Sequence, residues 1–225
     1  MRPAQKVLRT ARKTTRRQDY SSSTKRALLE HATELFTDHG YAGTSLDEVV
    51  AAARVTKGAL YHHFPSKLAL FESVFMRCQD DATKQIDNAL KSSRDPWERA
   101  QIGMRTFLDV CQQPNYRRIC LQEAPVALGH ERWQEAERES SYGLVERIVT
   151  DLLKDLGGQH LLAETFGVIF YGAMRSAGEF VADAADPEEA SNDVETVIVS
   201  LLAGLRLLPA VGDEPSDAVP DKDSE

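Results

Sequence analysis

The sequence contains no apolar run approaching the roughly 18 residues that crossing a membrane requires, so no membrane partner is expected. Its basic N-terminus has no apolar stretch behind it, unlike a secretory leader, and a cytoplasmic location is the default expectation. Cysteine is scarce. Cys78, Cys111 and Cys120 are odd in number, widely spaced and never in a Cys-x-x-Cys pair. That argues against zinc and fits small buried hydrophobes in a reducing compartment, with a redox-sensing thiol as the alternative. Enzyme signatures are missing too: there is no glycine-rich phosphate loop, no Gly-x-Ser-x-Gly and no His-Glu-x-x-His. No catalytic residue, cofactor or metal site is therefore expected. From residue 95 onward strand-like alternation is absent and no internal repeat is visible, which points to an all-α chain.

What the sequence does have is a strongly uneven charge. The net charge over 225 residues is −8, but residues 1–77 hold 13 Lys and Arg against 7 Asp and Glu, while the remainder holds 14 against 28. A basic N-terminal third on an acidic body suggests that only the first part meets a polyanion. Residues 1–23 form a polar arm, expected to be disordered alone, in which Arg2, Lys6, Arg9, Lys13 and Arg17 would share one face if it became helical. It is either a solubilising tail or an arm that touches DNA through Arg12, Lys13, Arg16 and Arg17.

Local signals divide the next stretch into short helices. Ala27, Leu28, Ala32, Leu35 and Phe36 make an apolar stripe over Thr24 to His39, stopped by Gly40. Thr44-Asp47 and Ser45-Glu48 each offer a capping box for a helix ending near Ala53. After the turn at Arg54-Val55, Thr56 caps a third helix, Lys57 to His63, ended by Phe64-Pro65. Ser66 then caps a long helix to about Ser92. Two short helices joined by a tight turn form a helix-turn-helix pattern.

In such a unit the second helix reads bases from its N-terminal end. Thr56, Lys57, Gly58 and Ala59 lie there. Lys57 suits guanine O6/N7 or phosphate, and Gly58 and Ala59 keep the helix surface low. Tyr61 can reach phosphate. Thr44, Ser45 and Lys67 flank helix N-termini and are phosphate candidates. His62 and His63 point about 100° apart, which disfavours shared metal chelation; one is expected on the DNA side and the other packed at the helix end.

The stretch ELFTDHGYAGTSLDEVVAAARVTKGALYHHFPSKLALFESVF resembles the DNA-binding domain of the TetR family of bacterial transcriptional regulators. The resemblance rests on Phe36-Gly40-Tyr41, Thr44-Ser45, Val55-Thr56-Lys57-Gly58, Tyr61-His63-Phe64 and Ser66-Lys67. It covers about residues 24–77. One departure is Arg54, where the family usually has glycine. If that position needs a left-handed backbone, a side chain there costs about 1 kcal/mol. Arg54 either contacts phosphate or is a solvated turn residue. The resemblance implies a second, all-helical domain that dimerises and usually binds a small molecule.

The expected organisation is an arm over 1–23, a helix-turn-helix domain over 24–70, an effector-binding and dimerisation domain over 71–208, and a disordered acidic tail over 209–225. In the body, Asp95-Pro96 opens one helix, NYRRICLQEA is a shorter helix broken by Pro125, and a long helix stops at Gly157-Gly158. The last helix begins near Pro187 and ends at Pro209, and is apolar around most of its circumference. Such a helix must be buried on more than one side. The expected dimer contact uses Phe166, Gly167, Phe170, Tyr171, Met174 and Gly178 with Val194, Val197, Ile198, Leu201, Leu202 and Leu205. The alternative is that both helices are core of one monomer. Effector-site candidates are Met104, Phe107, Cys111, Cys120, Glu123, Trp133, Tyr142, Phe166, Phe170 and Arg175, against a reading of each as plain core. The expected protein is a homodimeric repressor on a palindromic DNA operator, released by a small-molecule effector. The alternative is an activator or a global DNA-binding protein without an effector.

Overall fold

A computed structural model describes residues 4–155 and 163–205, with side chains from 21 to 155 and from 163 to 204. Its helices are α1 (Ala4–Gly43), α2 (Leu46–Ala52), α3 (Lys57–His63), α4 (Lys67–Ala89), α5 (Pro96–Gln112), α6 (Ala124–Leu128), α7 (His130–Asp155), α8 (Ala163–Asp183) and α9 (Pro187–Leu205). A 3-10 turn, Leu90–Ser92, extends α4, and a π-helix, Tyr116–Glu123, precedes α6. No strand occurs among the described residues, and none of their helices is long and apolar enough to cross a membrane. The stops expected at Gly157-Gly158 and Pro209, and the acidic tail, lie outside the described residues.

Local chemistry sets the element ends. Ser45 accepts the Glu48 N–H while the Glu48 carboxylate accepts from the Ser45 N–H, a complete capping box. Thr56, Ser66 and Asp95 each accept the backbone N–H three residues on. At Gly40 (φ 72, ψ 173) the chain leaves helical geometry.

Two expectations need correcting, and the arm, expected to be disordered when alone, carries helical backbone from Ala4 into α1. An arm joined to a formed helix extends it without the costly nucleation step. Pro125 does not break the helix at NYRRICLQEA; it falls in the first turn of α6, where a missing N–H is tolerated, and the break comes at Gly129 (φ 81). The preceding segment is a π-helix, which apolar spacing alone does not reveal.

Leu28, Ala32, Phe36, Val49, Leu60 and Phe64 are buried together with Leu70, Phe71, Val74 and Phe75 of α4. The next turns of α4, through Cys78, Gln79, Ala82 and Ile86, are buried in the body. The boundary expected at residue 70 thus falls within one helix that serves both parts. In the body α4, α5, α7 and α8 pack as a bundle, with α9 against α8 and α5. Trp97 Nε1 donates to Asp155 Oδ2 at 2.9 Å, tying α5 to α7, and Arg105 Nε donates to Glu195 at 2.6 Å, tying α5 to α9.

Gly178 of α8 packs closely on α5: an added Cβ would stand 2.9 Å from Cys111 Sγ and 3.0 Å from Phe107 Cζ. Gly178→Val should therefore destabilise the fold by about 1–3 kcal/mol through overpacking. Urea unfolding checks this, and an unchanged midpoint would contradict the packing described.

Candidate nucleic-acid interface and effector cavity

The cores of α2 and α3 face inward through Val49 and Leu60, both fully buried. What remains outward is the N-terminal half of α3. Thr56, Lys57 and Gly58 are exposed, and Tyr61 is 55% exposed, a large aromatic with no apolar cover. A Cβ at Gly58 would meet only the Thr56 hydroxyl, at 3.9 Å. The open space there belongs to whatever approaches from outside. His62 is exposed, while His63 is half-buried at the helix end, its pKa pushed down by burial and by the nearby His62 and Lys25.

Two candidates are held by neighbours. The Lys57 ammonium lies 2.7 Å from Asp47 Oδ1, a bond that raises its pKa. Both partners are about two-thirds exposed, so the pair is worth little in solution and can be exchanged for a stronger anion. Lys67 sits 4.5 Å from the centre of the Tyr41 ring and donates to the Ala42 carbonyl at 3.3 Å. Its charge still stands at the N-terminus of α4.

Thr44 needs a correction as a phosphate contact. It is 2% exposed, and its hydroxyl lies within hydrogen-bond reach of the Leu35 and Gly40 carbonyls. The side chain is thus spent on the end of the preceding helix. Ser45 remains exposed. Arg54 has φ 54, the left-handed backbone expected of that turn, and its exposed side chain makes no ion pair among the described residues. Ala59 is partly covered. Arg12, Lys13, Arg16 and Arg17 fall on the N-terminal extension of α1, outside the described side chains. Lys25, whose ammonium lies 5.9 Å from the Phe64 ring centre, is a basic group beside α3 that sequence reasoning passed over.

The head is tied to the body at Gly40. The Tyr41 N–H donates to Glu123 Oε2 at 3.2 Å, and Glu123 Oε1 pairs with Arg118 Nη2 at 2.9 Å. Gly40 has the positive φ that favours glycine, and a Cβ there would stand 2.5 Å from Glu123 Oε1 and 2.6 Å from Arg118 Nη2, displacing the ends of both side chains. Glu123 was expected at the effector site; it acts here instead, because the π-helix turns it toward α1.

The opposite end of the π-helix lines a cavity of about 70 Å³ enclosed by α4, α5, α7 and α8. Ile86, Met104, Leu144, Ile148, Phe170 and Met174 give it apolar walls. Gln79, Tyr116, Glu137, Tyr171 and Arg175 gather at one end. Of the residues expected there, Met104, Phe107, Phe170 and Arg175 line the cavity. Cys111, Cys120, Trp133, Tyr142 and Phe166 do not. Cys111, Cys120 and Trp133 are buried core, Trp133 with its indole N–H on the Cys120 carbonyl. Tyr142 stacks edge-on against Tyr171 from behind. Gln79, Tyr116, Glu137 and Tyr171 were missed because they come from four separate elements and no local pattern marks them.

Glu137 is 5% exposed. Burial pushes its pKa up to about 7; Arg175 opposes this, Glu179 adds to it, and Tyr171 and Gln79 stand near enough to favour the charged form. Among the described residues no group of three His, Cys, Asp or Glu is placed to hold a metal ion.

The dimer residues expected on α8 and α9 divide by face. Gly167, Met174, Gly178, Ile198 and Leu202 are buried within the monomer. Phe166, Phe170, Tyr171 and Val194 are half-buried, and Leu205 lies outside the described side chains. The outward face is instead Val168, Ile169, Phe180, Val197 and Leu201, between 44% and 64% exposed. Of these, only Val197 and Leu201 were expected. Both sides of these helices are apolar, so periodicity does not separate inward from outward.

A helix-turn-helix head carried on a helical bundle with an internal cavity is the build of a DNA-binding regulator. Residues 28–74 match the family profile described as bacterial regulatory proteins, tetR family, and residues 97–205 that described as tetracyclin repressor-like, C-terminal domain. The transposon Tn10 TetC protein of Escherichia coli is 30% identical over 141 residues, 61% of this chain and 70% of its own length. The HTH-type transcriptional activator FasR of Mycolicibacterium smegmatis is 35% identical over 94 residues, 41% of this chain and less than half, 43%, of its own length. The crystal structure of a TetR-family transcriptional regulator from Pectobacterium atrosepticum superposes with a TM-score of 0.74 at 26% identity, covering 85% of this chain and 98% of that one. The chain belongs to the TetR family of DNA-binding transcriptional regulators.

Gly58→Leu should leave the fold intact, since leucine gains up to about 1 kcal/mol of helix propensity and meets open space. DNA binding should collapse. Circular dichroism with a mobility-shift assay checks both, and retained affinity would remove α3 from the interface. Glu137 generates a pH test. A carboxyl raised in the folded state from 4.5 to about 7 withdraws stability as pH rises between those values, by up to about 3 kcal/mol. Glu137→Gln should lose that slope in denaturant titrations from pH 4.5 to 8, and identical slopes would contradict the burial.

Proposed function

We propose that the protein is a homodimeric transcriptional repressor in the cytoplasm that binds a pseudo-palindromic operator and leaves it when a small molecule enters the body cavity. The observation that carries this reading is the outward N-terminal half of α3, where Gly58 leaves room and Lys57 and Tyr61 supply a donor and a flat ring. Lys57 reads a base edge after leaving Asp47. Ser45, Thr56, Tyr61, His62 and Lys67 contact the backbone, with Arg54 and the basic arm, Arg12, Lys13, Arg16 and Arg17, extending the footprint.

One seven-residue helix covers too few bases for specificity, and two-fold pairing doubles the site. The exposed apolar face of Val168, Ile169, Phe180, Val197 and Leu201 supports α8 and α9 as the pairing surface, giving a four-helix contact. The π-helix supports a route for the effector signal, since Tyr116 lines the cavity and Glu123 holds Tyr41 of the head. An activator would use the same parts and differ in which state binds DNA, and the activator FasR among the relatives favours keeping that second reading.

Selection of bound duplexes from a random pool should return an inverted repeat. Ile169→Asp combined with Phe180→Asp should give a folded monomer near 25 kDa in light scattering and lower operator affinity at least about tenfold. A wild-type chain that is monomeric at micromolar concentration, or a selection without symmetry, would contradict the proposal.

A further inference from the structure

At the polar end of the cavity Gln79 Nε2, Glu137 Oε2 and the Tyr171 hydroxyl complete no hydrogen bond of good geometry, although Gln79 and Tyr171 stand near enough to Glu137 to favour its charged form. Gln79 is 1% exposed and Glu137 5%, so neither can turn to bulk water, and an unmet polar group at such depth is unfavourable. The other polar atoms there are engaged. The Tyr116 hydroxyl donates to Gln79 Oε1 at 3.0 Å, which fixes the amide with its N–H2 toward the cavity. The Ser141 hydroxyl donates to the Glu137 carbonyl at 2.8 Å. The Arg175 guanidinium lies 5.8 Å from the Trp133 ring centre and 3.9 Å from Glu179.

The unmet atoms differ in what they require. An amide N–H2 only donates, an ionised carboxylate oxygen only accepts, and a phenol does either. An ammonium head would meet Glu137 and leave Gln79 unmet. A carboxylate head would meet Gln79 but set a second negative charge against Glu137, whose own charge the Arg175 guanidinium already offsets. A hydroxyl accepts from Gln79 Nε2 and donates to Glu137 Oε2 through one small oxygen. Beyond it the walls turn apolar. Gln79 and Ile86 both line the cavity on α4, seven residues apart at 1.5 Å rise, which sets a length of about 10 Å.

Resting on the cavity's role as the effector site, we infer that it takes an uncharged, hydroxyl-headed molecule with a slim apolar body about 10 Å long, the hydroxyl held between Gln79 and Glu137 and the body running toward Ile86 and Ile148.

Three probes of one chain length isolate the head: 1-hexanol, hexylammonium and hexanoate, titrated into the full chain at pH 7.5 by calorimetry. Hexanol should bind at least about tenfold more tightly than either ion. Shortening to 1-butanol should cost about fourfold per methylene. Gln79→Leu and Glu137→Leu should each weaken hexanol by about threefold to tenfold or more, while their retained helicity and melting temperature show that the fold is intact. Tighter binding of either ion, equal binding of all three probes, no binding of hexanol, or hexanol affinity unchanged in both folded variants would overturn the inference. The same titrations with operator DNA present separate it from the wider reading. Hexanol that binds as expected yet leaves operator affinity unchanged would sustain the head chemistry and defeat the effector role.

Discussion

The structure depends on how α4 grips the helix-turn-helix head. Phe71 of α4 meets Phe36 of α1 edge-to-face, with centroids 5.1 Å apart, and meets Tyr41 at 5.0 Å. Such pairs add about 0.5–1.5 kcal/mol beyond area burial. They also constrain direction, because three rings from two helices cannot slide without separating. With α1 and α4 locked, Leu60 and Val49 seat α3 and α2 on the remaining core, and the outward face of α3 follows from that seating. The outward surface of α3 is therefore a consequence of a core several residues away from it.

The same helix carries the link to the body. Gln79 on α4 bonds Tyr116 at the start of the π-helix, and Glu123 at its other end holds the Tyr41 N–H beside Gly40. Tyr41 is one of the three rings that orient the head. The polar end of the cavity is thus joined to the head by two continuous elements, α4 and the π-helix. The π-helix geometry has a purpose in this chain of contacts. Its wider turn lets Tyr116 face the cavity while Arg118 and Glu123 face α1.

The head was legible in the sequence because its signals are local. Thr56 and Ser66 cap where they were expected, and of the two capping-box starts offered, Thr44 and Ser45, Ser45 is used, since a cap needs only a side-chain oxygen and an N–H three residues on. The left-handed turn at Arg54 was raised only as a condition, by the glycine usual there in the family that the sequence resembles, and the backbone meets it. Thr44 was misread because its partners, Leu35 and Gly40, belong to the preceding helix and meet it only after the break in α1. The body was less legible. On α8 and α9 the residues turned inward and those turned outward are equally apolar, so Gly178 and Phe180 look alike until the helices are packed. The polar end of the cavity joins Gln79, Tyr116, Glu137 and Tyr171 across 92 residues of separation in number, 79 to 171, and no spacing rule connects them.

The central claim is that α3 enters the major groove as one half of a symmetric pair. Dimethyl sulfate protection on a selected operator tests it most directly, because the reagent reports guanine N7, the atom that faces the major groove. The account expects protected guanines in two major-groove segments about 10–10.5 base pairs apart or a multiple of that spacing, on one face of the duplex. It also expects Lys57→Ala to expose the same symmetric pair of guanines in both segments. Protection confined to one segment, or a footprint that leaves every major-groove N7 reactive, would contradict it.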